Sequence, residues 1–101
     1  MKSKNSSIVT LFQPKSVAVV GASSQPGKIG YSITRNIIQG GFKGRIYPIN
    51  PKGGAILGVD CYPSISDIKD EIDVATICVP AKLTFDAVKE CADKGVKHVQ
   101  I

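Results

Sequence analysis

One stretch decides the fold of this 101-residue chain: Val17-Ala18-Val19-Val20-Gly21-Ala22-Ser23-Ser24-Gln25-Pro26-Gly27-Lys28-Ile29-Gly30. A run of β-branched and small apolar residues passes into a turn of glycine, serine and proline, and a helix follows the turn. In that order the free N–H groups and the positive dipole end of the helix point at one spot, which suits a phosphate ester. The stretch therefore predicts a strand, a turn and a helix that together bind phosphate.

Further strands are predicted on the C-terminal side of this unit. Continuous apolar runs, without polar residues in alternation, predict buried strands over 16–20 and 74–79. A second short strand is predicted over 45–49 and is ended by Pro48, Asn50 and Pro51. A small edge strand is predicted over 58–62. A final strand begins near Val96 and is still running at Ile101.

Helices are predicted between the strands. The first carries Ile29, Ile33 and Ile37 at four-residue spacing and ends at Gly40-Gly41. Ser64 is placed to cap a short helix that runs to about residue 71. The last helix ends at Gly95, and its apolar stripe consists of Leu83, Ala87, Val88, Cys91 and Ala92.

Strands that alternate with helices ending in glycine predict right-handed βαβ units. The predicted fold is therefore α/β: a Rossmann-like, doubly wound parallel sheet with helices on both faces, in three layers. One domain is expected over 11–101, after a flexible N-terminal arm over 1–10. Because the last strand has no turn or helix after it, we expect a fragment truncated at its C-terminal end, whose natural chain continues past Ile101.

The basic residues are concentrated in the half that carries the glycine turn. Residues 1–59 contain eight Lys or Arg and no acidic residue, whereas residues 60–101 contain five Lys and eight Asp or Glu. Such a bias raises the local concentration of anionic ligands, although a solvated basic face would look the same. The basic residues are scattered and no aromatic-rich surface accompanies them, so nucleic acid is not an expected partner.

The cysteines favour a reducing compartment. Cys61, Cys78 and Cys91 have neither an even count nor a CxxC spacing, which argues against a disulfide framework and against a zinc site. Cys78 and Cys91 lie in apolar patterns, where a free cysteine is a small core residue. No apolar run reaches the about 20 residues that a bilayer requires. A cytoplasmic protein without a membrane partner is expected.

The spacing of the glycines excludes two common phosphate motifs. The dinucleotide fingerprint needs a second glycine two residues after Gly21, and Walker A needs four residues before its Gly-Lys pair, whereas five precede Gly27-Lys28 here. What remains is a longer turn, in which serine hydroxyls and backbone N–H groups donate to a pyrophosphate and Lys28 adds a charge. The alternative for Gly21 and Gly30 is close packing of helix against strand, and for Lys28 an exposed surface position.

The end of the second predicted strand also differs from a nicotinamide-binding fold. Such a fold places an acidic residue there to hold the ribose hydroxyls, but this chain has Asn50-Pro51-Lys52. Lys52 follows the carboxyl end of a strand, where open α/β sheets bind their ligands. We therefore predict that Lys52 contacts the ligand, with a solvated loop lysine as the alternative.

Three segments resemble the N-terminal CoA-binding domain of the ADP-forming acyl-CoA (acetate–CoA) synthetases: Leu11-Phe12-Gln13-Pro14-Lys15-Ser16-Val17-Ala18-Val19-Val20-Gly21-Ala22-Ser23, Pro26-Gly27-Lys28-Ile29-Gly30 and Gly41-Phe42-Lys43-Gly44-Arg45-Ile46-Tyr47-Pro48-Ile49-Asn50-Pro51-Lys52. That family is related to the succinyl-CoA synthetase α subunit, and its domain also occurs in Pat-type protein lysine acetyltransferases. The resemblance continues through Gly58, Tyr62-Pro63-Ser64, Val79-Pro80-Ala81 and Lys94-Gly95-Val96. It covers nearly the whole chain beyond the arm.

The resemblance implies coenzyme A as the ligand. It implies that Ser23, Ser24 and Gln25 meet the CoA phosphates, that Lys52 matches the lysine after the family's second strand, and that Val79-Pro80-Ala81 lines the nucleotide side. The candidate binding residues are Gly21, Ala22, Ser23, Ser24, Gln25, Lys28, Gly30, Lys52, Val79, Pro80 and Ala81.

In the resembling enzymes, acyl-CoA, ADP and phosphate give acid, CoA and ATP through an acyl phosphate and a phosphohistidine. These steps imply downstream partners: a phosphohistidine domain and an ATP-grasp domain, or a β-type subunit. His98 is expected to be structural, and neither a catalytic residue nor a metal site is predicted in this chain, which is expected to position CoA. Two alternatives stay open: a CoA- or NADP-sensing module of a Pat-type acetyltransferase, and an NADP-binding oxidoreductase domain. A homo-oligomer and a hetero-oligomer are both compatible with the sequence.

Overall fold

A four-stranded parallel sheet forms the centre of the protein. Its strands lie side by side in the order Arg45–Ile49, Ser16–Val20, Val74–Ile77 and His98–Gln100. The computed structural model describes residues 14–101, so the predicted arm over 1–10 and the first residues of the predicted domain lie outside the described part. The strands of this sheet are β1 (Ser16–Val20), β2 (Arg45–Ile49), β5 (Val74–Ile77) and β6 (His98–Gln100).

Two helices connect these strands. Helix α1 (Ile29–Gln39) joins β1 to β2, and helix α2 (Ala81–Lys94) joins β5 to β6. A short hairpin of β3 (Ala55–Ile56) and β4 (Val59–Asp60) follows β2, and a single 3₁₀ turn covers Ile65–Asp67.

The two helices lie on opposite faces of the sheet, because alternate residues of β1 belong to two different clusters. Ala18 and Val20 pack with the α2 residues Ala87 and Cys91. Val19 packs on the other face with Ile33 and Ile37 of α1 and with Ile56 of the hairpin. This arrangement confirms the prediction of a doubly wound, three-layer α/β fold.

The direction of winding reverses between β1 and β5. From β1 the chain passes through α1 to β2 on one side, and it then returns to pair β5 with the other side of β1. In open α/β sheets, ligand-binding crevices form at such a reversal, outside the carboxyl ends of the strands. The carboxyl ends of β1 and β5 therefore mark where a ligand would bind.

Several local predictions were wrong. Ile29 is 67% exposed, whereas Ile33 and Ile37 pack with Val19 of the sheet; α1 also buries Thr34 and Gly30, the latter against the backbone of the turn after β1. The predicted edge strand over 58–62 is shorter and belongs to the separate hairpin. The predicted helix after Ser64 is only the 3₁₀ turn, although Ser64 Oγ does accept from the Ser66 N–H at 3.2 Å. Leu83 is 46% exposed and lies outside the buried stripe of α2.

The amino ends of the strands are joined by a buried polar network. Ser16 Oγ donates to the Glu71 carbonyl at 2.8 Å and accepts from the Asp73 N–H at 3.0 Å. The Asp73 carboxylate accepts from the Lys15 N–H at 2.7 Å and faces Lys97 Nζ at 3.6 Å. Asp73 is 7% exposed, and the network pairs both its N–H and its carboxylate.

The helices of residues 14–101 are too short or too polar for any of them to cross a bilayer. Within the same residues, no three His, Cys, Asp or Glu side chains come close enough together to hold a metal ion.

Candidate functional site

Three strands end at the same edge of the sheet and form the floor of the candidate site. Val20 of β1 lies between Ile49 of β2 and Ile77 of β5 in the parallel register. The turn that follows β1, the loop that follows β2 and the segment that follows β5 therefore meet at the reversal point of the fold.

Gly21 begins the turn after β1 and lies directly against the end of β5. Its φ is +93°, and a Cβ added there would lie 2.8 Å from the carbonyl carbon and oxygen of Cys78 and 3.0 Å from Val79 Cγ1. Both the left-handed backbone and the close approach require glycine. The structure thus brings the first turn and the Val79-Pro80-Ala81 segment together.

Gly30 provides a second backbone contact, between α1 and the turn. A Cβ at Gly30 would overlap the Gly21 carbonyl oxygen and lie 3.1 Å from the Cα of Ala22. The first turn of α1 can therefore rest on the backbone of the turn that precedes it. The packing role considered for Gly21 and Gly30 is real, and it fixes the shape of the site.

Two N–H groups of the turn are already used inside the protein. Gly21 N–H and Ala22 N–H both donate to the Ile49 carbonyl, at 3.2 and 3.1 Å. Ser23 Oγ accepts from the Gln25 N–H at 3.1 Å, and its own proton can still be donated. Donation to a ligand therefore begins at Ser23 and not at the first glycine of the turn.

The N-terminus of α1 lacks a side-chain cap. Lys28 occupies the N-cap position with φ −85° and ψ 144°, makes no capping hydrogen bond, and no acidic residue lies in the first turn. Within residues 14–101, the N–H groups of Ile29, Gly30 and Tyr31 have no hydrogen-bond acceptor. These donors, together with the helix dipole, favour an anion at this position.

Helix α2 begins at the other side of the same reversal point. Pro80 is its N-cap residue, and its first turn also lacks an acidic residue and a side-chain cap. Pro80 and Ala81 are exposed, whereas Val79 is half-buried. Two helix N-termini without carboxylates therefore start at the carboxyl ends of adjacent strands.

Asn50 is a residue of the site that the list of candidates missed. Its Nδ2 donates to the Ala22 carbonyl at 3.0 Å, and its Oδ1 accepts from the Lys52 N–H at 2.8 Å. One side chain thus joins the turn after β1 to the loop after β2. The available signal was its position directly after β2, where related folds place a ligand-binding acid.

The candidate side chains differ in their access to solvent. Ala22 is 3% exposed, and its side chain packs in the core with Val19, so only its backbone faces the candidate site. Gly30 is also buried, and Gly21 and Ser23 are half-buried. The exposed candidates are Ser24, Gln25, Lys28, Lys52, Pro80 and Ala81.

The cysteines and the histidine do not form a nucleophilic centre in the described residues. Burial raises the pKa of the thiols of Cys61, Cys78 and Cys91, and nearby Asp60 and Glu90 add to the effect at Cys61 and Cys91. His98 is paired with Val74, at the amino end of β5 and away from the crevice. Among the described residues, the candidate site combines exposed lysines with two helix N-termini that lack a side-chain cap.

Known relatives share this chain's sequence over most of its length. The ADP-forming acetate–CoA ligase II of Archaeoglobus fulgidus is 56% identical over 91 residues, which are 90% of this chain and 14% of the ligase. The α subunit of the ADP-forming acetate–CoA ligase I of Pyrococcus furiosus is 52% identical over 99 residues, 94% of this chain and 21% of that subunit. The chain therefore spans about a fifth or less of these curated relatives.

A solved structure shares the fold. The dinucleotide forming acetyl-coenzyme A synthetase 1 of Ca. Korarchaeum cryptofilum, in complex with phosphate and ADP, is 46% identical with a TM-score of 0.87. The match covers 91% of this chain and 20% of that chain. Residues 15–101 match the family described as the CoA binding domain, and the chain therefore belongs to the CoA-binding domain family.

Proposed function

We propose that this chain holds coenzyme A as the CoA-binding domain of an ADP-forming acyl-CoA synthetase, an acid–thiol ligase of the cytoplasm. The observation that carries the proposal is the pair of uncapped helix N-termini that start at the reversal point of a parallel sheet. The basic half of the sequence, which contains the turn and Lys52, adds a field that attracts a polyanion.

In the proposed complex, the CoA pyrophosphate lies over the N-terminus of α1. Ser23, Ser24 and Gln25 face the phosphates, the free N–H groups of the helix donate to them, and Lys28 supplies a positive charge. Gly21, Ala22 and Gly30 shape the turn beneath. Lys52 faces the phosphorylated ribose, and Val79, Pro80 and Ala81 line the nucleotide side of the crevice.

This domain would contribute to the reaction by positioning CoA. It would hold the long CoA handle on a preformed anion site, so that the thiol end reaches reacting groups supplied by other domains. In the proposed full enzyme, acyl-CoA, ADP and phosphate give acid, CoA and ATP. A phosphohistidine domain and an ATP-grasp domain, or a β-type subunit, complete the reaction as partners of the domain over 11–101.

Calorimetric titration with CoA, dephospho-CoA, NADP and NAD at low salt tests the proposal. We expect CoA to bind most tightly. Lys52→Ala should weaken CoA binding by about tenfold, because one charge-assisted contact at an exposed site contributes about 1.4 kcal/mol. The loss should be smaller for dephospho-CoA, which lacks the ribose phosphate.

Lys43→Ala is the matched control. Lys43 is exposed and belongs to the same basic half, but it precedes β2 and therefore lies at the opposite edge of the sheet from the crevice. It should leave CoA affinity within about twofold, since only the general field changes. Equal losses in the two variants, or tighter binding of NADP than of CoA, would contradict the proposed site.

A further inference from the structure

Asn50 joins the two phosphate-facing segments of the proposed site through its side chain. Its amide group donates to the Ala22 carbonyl in the turn after β1 and accepts from the Lys52 N–H in the loop after β2. The residue is half-buried at the end of β2, while Lys52 itself is exposed. The hydrogen bonds of its side chain are therefore shared between the two segments.

The backbone of Asn50 is held as firmly as its side chain. Its N–H donates to the Tyr62 carbonyl at 2.9 Å, and its carbonyl accepts from the Gly53 N–H at 2.8 Å. All four hydrogen-bonding groups of Asn50 are thus engaged, and they connect the turn, the lysine loop and the segment around Tyr62 that follows the hairpin. Because Asn50 is held at all four groups, its position constrains the turn after β1 and the Lys52 loop, to which it is hydrogen-bonded.

The loop that carries Lys52 needs such an anchor. Gly53 and Gly54 follow with φ of +68° and +88°, and both are positions where an added Cβ would meet no atom within 4 Å. Glycines have wide backbone freedom, and here the Asn50 carbonyl accepts from the Gly53 N–H while the Gly54 carbonyl accepts from the Cys61 N–H, both at 2.8 Å. The hydrogen bond from the Lys52 N–H to Asn50 Oδ1 adds an Asx turn that fixes Lys52 itself.

We propose that Asn50 is a positioning residue: it fixes the Lys52 loop against the glycine turn, so that both segments face the same CoA molecule. This inference rests on the proposed function, and it assigns to Asn50 no contact with the ligand. Its effect on CoA binding acts through Lys52. The consequence is a coupling between the two residues that an ordinary stabilising side chain would not show.

A double-mutant cycle measured by calorimetry with CoA tests the coupling. Asn50→Ala and Lys52→Ala should each weaken binding by about tenfold. The double variant should bind as weakly as Lys52→Ala alone, within about twofold, because a mispositioned loop no longer matters once its lysine is gone. An additive loss of about a hundredfold in the double variant would overturn the proposal, as would a Lys52→Ala protein with unchanged affinity.

Ser16→Ala is the control for a purely structural effect. Ser16 also donates one hydrogen bond and accepts one, but at the amino end of β1, far from the crevice. It should lower the midpoint of urea unfolding and leave the CoA affinity within about twofold. If it weakens CoA binding as much as Asn50→Ala does, the effect of Asn50 is one of general stability and the proposal falls.

Asn50→Ser keeps the test decisive if the alanine variant fails to fold. A serine hydroxyl can still accept from the Lys52 N–H in a weaker turn of the same type, but it is too short to reach the Ala22 carbonyl. We expect an intermediate loss of about threefold and partial protection of the Lys52 amide from hydrogen exchange. Unchanged exchange at Lys52 in both variants would refute the inference even with CoA absent, whereas a wild-type protein that binds no CoA would refute the proposed function.

Discussion

Gly30→Ala tests whether α1 rests on the glycine turn through backbone alone. The new Cβ would overlap the Gly21 carbonyl oxygen, and it would lie 3.0 Å from the Gly21 carbonyl carbon and 3.1 Å from the Ala22 Cα. All three are backbone atoms, so no side-chain rotation can make room. The turn itself is held by the hydrogen bonds of Gly21 and Ala22 to Ile49. Either the helix or the turn must move.

Two opposing effects set the size of the change. Alanine favours a helix over glycine by about 1 kcal/mol. Forcing a methyl group into a packed contact costs about 1–3 kcal/mol, and a contact made only of backbone lies at the upper end of that range. We expect a net loss of about 2 kcal/mol in the free energy of unfolding. CoA affinity should fall by about tenfold or more, because the displaced turn carries the proposed phosphate donors.

Urea unfolding gives the stability change, with Asn36→Ala as the control on the same helix. Asn36 is exposed, and its alanine variant should gain about 0.5 kcal/mol from helix propensity, with CoA binding unchanged. A Gly30→Ala protein that is as stable as the wild type, or more stable, would mean that the contact is loose. The argument that glycine is required there would then fail.

Three further perturbations follow from the structure. Lys28→Asp should raise the unfolding free energy by about 1 kcal/mol, since a carboxylate can cap the open N-terminus of α1, and it should nearly abolish CoA binding in the same titration; a gain in CoA affinity would contradict the anion site. Asp73→Asn should lower the unfolding free energy by about 1–2 kcal/mol through the lost pairing with Lys97, with CoA affinity unchanged, and an unchanged urea midpoint would refute this. Burial raises the pKa of the Cys91 thiol above its ordinary value of 9.0, so the folded state favours the neutral thiol. The stability that the neutral thiol contributes is present below pH 9.0 and is lost as pH rises through the raised pKa. Cys91→Ala should therefore flatten the decline of the unfolding free energy measured above pH 9.

The parts of the fold that the sequence predicted well are those where one strong signal acts alone. The bounds of β1 are as predicted, because a parallel strand covered on both faces is a continuous apolar run. Strand β2 also has the predicted bounds, with an exposed Arg45 at its start and Asn50-Pro51 directly after it. Helix α2 ends at Gly95 with φ +87°, the left-handed position that glycine supplies without strain. These signals are local, so a single sequence carries them.

Other features depend on partners that are distant in sequence. Ile29 fits the apolar spacing of α1, yet Gly30 occupies the contact with the turn, and only the approach of helix to turn decides between them. Asp73 is surrounded by acidic and basic residues that suggest a surface, but Ser16, which lies 57 residues earlier, accepts a hydrogen bond from its N–H. Hydrophobic periodicity cannot predict either the contact of Gly30 with the turn or the hydrogen bond of Asp73 to Ser16. The same holds for the Ile56 hairpin strand, whose two residues are too few for any pattern.

The candidate site shows a similar division. The glycine turn and Lys52 could be placed at the carboxyl edge of the sheet because each follows a predicted parallel strand, whereas the Val79-Pro80-Ala81 segment is placed there by the family resemblance. Which N–H groups remain for a ligand could not be predicted, since the loss of two of them to the Ile49 carbonyl depends on how β2 ends beside the turn. Asn50 was not among the predicted site residues for the same reason: its proposed role depends on two tertiary contacts, which the residue type alone does not indicate.

The use of Gly21 and Ala22 as internal donors bears on how the site can bind. Those two hydrogen bonds hold the turn in shape without any ligand, and the Asn50 side chain ties the Lys52 loop to it. The ordering of the turn is then supplied by folding, and an incoming phosphate does not have to order it. In contrast, the N–H groups at the start of α1 lack acceptors within residues 14–101, and Lys28 leaves them uncapped. The protein thus stabilises the frame of the site and leaves its donors open, which is the arrangement that gives a preorganised anion site its affinity.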